Sequence, residues 1–134
     1  MGAETKQYPL EEYTFFEELI HVITHGIGLF LAMAAPIVLV TLSQDSWQML
    51  SFSIYGATLI FMYLSSVFYH SFRSPRLKYI FRIFDHSSIF LLIAGSYTPF
   101  LLINMRNGSG WKLFWIIWGL ATCGILLKSF LWEN

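Results

Sequence analysis

Charge is scarce in this sequence. Only 12% of its 134 residues are Asp, Glu, Lys or Arg, against about 25% in soluble domains. The eight basic and eight acidic residues cancel, so no net field draws the chain toward nucleic acid or an acidic substrate. A single cysteine, Cys123, excludes an internal disulfide and with it a disulfide framework. No HExxH or CxxC spacing, low-complexity stretch or internal repeat occurs. The first 18 residues carry Glu4, Glu11, Glu12, Glu17 and Glu18 against Lys6 alone. They lack the basic opening of a secretory signal, so no cleaved peptide is expected.

What is present is apolar surface. Hydrophobic residues make up 56% of the chain and aromatics 19%, and the mean hydropathy is +0.59. A bilayer core of about 30 Å needs roughly 20 apolar residues per helix. Four runs meet that length, over 19–40, 49–68, 83–103 and 111–131. They are too long for strands and show no period-2 alternation. A soluble four-helix bundle would need polar faces, which the second and fourth runs almost wholly lack. The expected fold is therefore an all-α, polytopic transmembrane helix bundle behind a cytoplasmic segment over 1–18. With the N-terminus inside, Lys6, Arg73, Arg76, Lys78, Arg82 and Lys128 share the inner side and Arg106 and Lys112 the outer. Six basic residues against two point to a cytoplasmic N-terminus, 71–82 loop and C-terminus, and the expected location is the plasma membrane. Trp47 and Trp111 then fall together at the outer interface.

Ionisable groups within membrane spans are costly and ask for a reason. In this topology they gather on the inner side: His21 and His25 on the first run, Ser66 and His70 ending the second, Asp85 and His86 opening the third. Glu18, His21 and His25 share one helix face, continued by Gly28, Ala32 and Ala35, small residues that let backbones approach. Ser66 and His70 share another, and Asp85, Ser88, Leu92, Gly95 and Pro99 form a third stripe. Imidazole and carboxylate are good zinc ligands, and a zinc-bound water has a pKa of about 7. On spacing alone, blander readings stand beside this one. His70 and His21 also fit interfacial histidines. Asp85 also fits a helix N-cap or a partner of Arg82, and His25 an interhelical hydrogen bond. Cys123, beside Gly119, fits packing; Pro36 and Pro99 fit tolerated kinks.

The strings EELIHVITHGIG, SSVFYHSF and FDHSSIFLLIAGSYTPF resemble the hemolysin III group of the progestin and adipoQ receptor family. The resemblance runs from about Glu17 to Lys128, and its most specific parts are Ser66-x3-His70 and Asp85-His86-Ser87. It implies a seven-helix membrane protein with an intramembrane zinc site near the cytoplasmic face. It implies His70 as a direct zinc ligand, Asp85 beside the metal holding its water, and Ser66 in support, so that Asp85 and Ser66 are the catalytic candidates. Glu18 and His25 match polar positions of the first-helix motif. The family completes its zinc with an H-x3-H pair in the last helix, and nothing downstream of Asp85 matches it here. The expectation is four helices of seven, a truncated chain, and an incomplete zinc site.

Three functions compete on these grounds. One is a zinc-dependent membrane hydrolase, or receptor-like protein, acting on a lipid amide or ester. The second is a pore-forming or membrane-perturbing hemolysin. Against it stands the lack of a continuous polar stripe to line a pore. The third is an inactive membrane element that self-associates through exposed helix faces. In all three the partner is the lipid bilayer, and none involves nucleic acid.

Overall fold

The structure, a computed structural model, describes residues 12–132. Most of the expected cytoplasmic segment over 1–18, with Glu4, Lys6 and Glu11, lies outside the described residues. Four α-helices follow one another: α1 (Phe15–Thr41), α2 (Ser46–Ser71), α3 (Pro75–Pro99) and α4 (Gly110–Trp132). A five-residue π-helical turn, Phe100–Asn104, continues α3. All four helices are long and apolar enough to cross a membrane.

Each helix extends past its hydrophobic run where local chemistry favours it. Thr14 caps α1 by a capping box: its hydroxyl accepts from the Glu17 amide, and the Glu17 carboxylate accepts from the Thr14 amide. Asp45 caps α2 by accepting from the Gln48 amide at 2.8 Å. The stretch between the second and third hydrophobic runs, 69–82, is mostly helix. Pro75 opens α3 at its first turn, where a missing N–H costs nothing. Arg76, Lys78 and Arg82 therefore ride on α3. Asp85 lies well inside α3, whose N-cap is Ser74, so the N-cap reading of Asp85 fails.

Burial is inverted relative to a soluble protein. Large side chains such as Phe30, Ile37, Trp115 and Leu127 point outward, while Ser51, Thr58, Ser88, Ala94 and Thr98 are buried. Apolar lipid tails give big side chains no reason to hide, so helix contacts use small residues that bring backbones close. Gly56 receives Pro36, Gly28 receives the Tyr63 ring, and Gly95 receives Thr58. Pro36, read from sequence as a kink, is a buried packing residue, and Ala35 is exposed instead of joining the inward stripe. Cys123 is exposed, and nothing lies near a side chain added at Gly119. Among the described residues Cys123 is therefore not packed against another helix, contrary to the packing reading. Buried hydroxyls donate to carbonyls of their own helix, as Ser51 does to Trp47 at 2.7 Å and Thr98 to Ala94 at 2.8 Å.

Among the described residues the helices form an open row in chain order. α1 packs on α2, α2 on α3, and α4 on α3 and the π turn. At the end where α2 begins, Trp47 and Trp111 meet edge to face at 5.7 Å, with the Arg106 guanidinium 4.3 Å from the Trp47 ring centre. The opposite end, where α1 and α3 begin and α2 finishes, holds the polar residues.

Candidate inner-end histidine site

The first turns of α1 run beside the last turns of α2. This antiparallel pairing puts His21 and His25, one turn apart, opposite Ser66 and His70, also one turn apart. His25 Nδ1 and Ser66 Oγ share a hydrogen bond whose proton sits on either atom according to the imidazole tautomer. The His21 ring stacks on the His70 ring, centroids 4.4 Å apart and planes 16° from parallel. His25 meets His70 edge to face at 6.1 Å, and Tyr13 stands edge-on to both His21 and His70 at 5.5 and 5.6 Å. Ser66 and His70 are buried, at 4% and 7% exposure. A cleft of about 220 Å³ opens beside His70, between Leu19 and Val22 of α1 and Arg73.

His21, which spacing alone left as an interfacial residue, is thus a member of the cluster. Its signal lay in the i, i+4 spacing to His25, which places two imidazoles on one helix face. Lys78 was also missed. It reads from sequence as one more basic residue of the inner side, yet it is buried, ion-paired with Glu18, and donates to the Tyr69 carbonyl at 2.9 Å. Glu18, a first-helix candidate, finds its role in that pair. Asp85 is half-buried on α3, and the Ser88 hydroxyl donates to its backbone carbonyl.

Imidazole is the right donor chemistry for zinc, but among the described residues no three His, Cys, Asp or Glu side chains form a group that could hold a metal ion.

Four lipid-exposed helices, joined through small residues and carrying a histidine cluster at one end, define a multi-pass helical membrane protein. Its family is given by comparison. The haemolysin-III related family model matches residues 13–134, and the chain belongs to that family, the hemolysin III group of the progestin and adipoQ receptor proteins. It is 44% identical to Hemolysin-3 of Bacillus cereus over 117 residues, covering 85% of this chain and 53% of that protein. It is 41% identical to a Hemolysin-3 homolog of Bacillus subtilis over 121 residues, 88% of this chain and 57% of that protein. The human monocyte to macrophage differentiation factor is 27% identical over 118 residues, 84% of this chain and 50% of that protein. The chain spans about half the length of the curated relatives it matches. No solved structure matches it.

Proposed function

We propose that the inner end of this protein is the first part of a zinc-dependent site that hydrolyses an amide or ester of a membrane lipid. The observation that carries the reading is the meeting of His21, His25 and His70 around the buried Ser66 at one end of the spanning helices. In this proposal His70 would hold the zinc, and Asp85 would accept a hydrogen bond from a water beside it. Ser66 and His25 fix each other beside them. The rest of the ligand set comes from the portion of the family proteins beyond the half aligned here. When bound, zinc lowers the pKa of its water to about 7, which is the activation that amide or ester cleavage needs. The N-terminus and the α2–α3 junction are proposed to face the cytoplasm, supported by Arg73, Arg76, Lys78 and Arg82 at this end.

The test is elemental analysis of the purified chain, and of a form extended to the relatives' full length, each with and without His70→Ala. About one zinc per extended chain, absent in the variant, together with lipid cleavage lost in the same variant, is the expected result. Absence of zinc from every form overturns the reading. Vesicle leakage that survives His70→Ala would favour the membrane-permeabilising activity that the relatives' hemolysin name suggests.

A further inference from the structure

One ammonium group ties three helices together at the histidine cluster. Lys78 lies in the first turns of α3, with only 10% of its side chain exposed. Its Nζ is ion-paired with Glu18 of α1. It donates to the backbone carbonyl of Tyr69 of α2 at 2.9 Å and lies 4.8 Å from the Tyr69 ring centre. Each contact abuts a histidine. Glu18 stands one turn before His21 on the same face. Tyr69 directly precedes His70, their ring centroids 4.6 Å apart. Among the described residues α1 and α3 do not pack backbone to backbone, so this link between them is made by long side chains.

A buried ion pair is poor evidence of stability, because desolvating both charges offsets much of their attraction, and an apolar residue of similar volume often serves as well. What a buried charge adds is geometry: the carboxylate and the carbonyl must both sit where the ammonium can reach them. We propose that Lys78 is a positioning residue of the histidine site. Through Glu18 it sets the rotation and height of the first turns of α1. Through the Tyr69 carbonyl and ring it fixes the end of α2. Together these let His21 stack on His70 and let His25 reach Ser66. The assignment deepens the functional reading above and rests on it only for the chemistry that the site performs.

The test reads the histidine rings directly, on the full chain in detergent micelles with isotope-labelled histidine, and with no metal or lipid substrate added. His21 stacked on His70 displaces the ring-proton resonances of both through ring currents. Helical content and the thermal midpoint are followed in parallel. Lys78→Met is expected to keep its helical content and lose the displacement. Lys78→Arg, which keeps a cationic donor for Glu18 and the Tyr69 carbonyl, is expected to recover it. A folded Lys78→Met protein with unchanged ring signals overturns the proposal. If Lys78→Met does not fold, Glu18→Met decides by the same signal, since it removes the acceptor on α1 and keeps the ammonium and its Tyr69 contact: lost stacking supports the proposal and retained stacking overturns it. Loss of fold in both variants also overturns it, leaving a purely structural role. A failed zinc measurement leaves this result standing, and the reverse holds too.

Discussion

The hydroxyl of Ser66 is a small group with large leverage. It is buried and shares its hydrogen bond with His25 Nδ1, so Ser66→Ala leaves the half-buried His25 ring nitrogen without that partner. Losing such a bond costs about 1 kcal/mol. Reversible unfolding in mixed micelles should register that loss, and an unchanged unfolding free energy would show that His25 finds another partner. Two glycines give a cleaner contrast. A Cβ added at Gly56 collides with the Pro36 ring, whereas one added at Gly119 meets nothing within 4 Å. Gly56→Ala should therefore destabilise by about 1–3 kcal/mol, as overpacking does, while Gly119→Ala leaves the midpoint unchanged or slightly raised. Equal effects would contradict the packing described here. Nothing in the sequence separates these glycines, because the difference lies in what the neighbouring helix brings opposite each one.

At the scale of elements, the end of α3 is set by a proline. Pro99 has no N–H to give the carbonyl one turn back, and the chain widens into the π turn Phe100–Asn104 before α4. That turn carries Leu101 and Leu102 into the interior and leads to Arg106, whose guanidinium covers Trp47. α4 is the most weakly held helix, packing on α3 and the π turn alone. One polar tie is the Trp118 Nε1–H donated to Thr98 Oγ1 at 3.1 Å. Trp118→Phe removes this bond at a cost of about 1 kcal/mol. Hydrogen exchange should then quicken in α4 and stay unchanged in α1; a uniform change across all four helices would argue against α4 as a separately held element. From sequence, Pro99 was legible as a kink. The π register was not, because it depends on how the freed carbonyls are re-satisfied.

For the whole molecule, the outward-facing large side chains and inward-facing small ones settle membrane over soluble bundle. Orientation is open to a direct experiment, since Cys123 is the only cysteine. In a Cys123→Ser background, a membrane-impermeant thiol reagent applied to intact cells should label Gln44→Cys, in the α1–α2 loop, and spare Ser74→Cys, before α3. The opposite pattern would reverse the topology.

Sequence by itself determined the number of spanning helices, the end of the bundle where the polar groups collect, and the family. These follow from run length, the cost of ionisable groups in lipid, and short motifs, all local properties. It also brought Trp47 and Trp111 to one interface. Only the tertiary structure decided which polar residues touch. His21 became a partner of His70, Lys78 left the surface to reach Glu18 and Tyr69, and Pro36 proved to pack against Gly56. The physical reason is that a helical face is known from spacing only to within a turn, whereas a stacked ring or a buried ion pair depends on the rotation and height of two helices against each other.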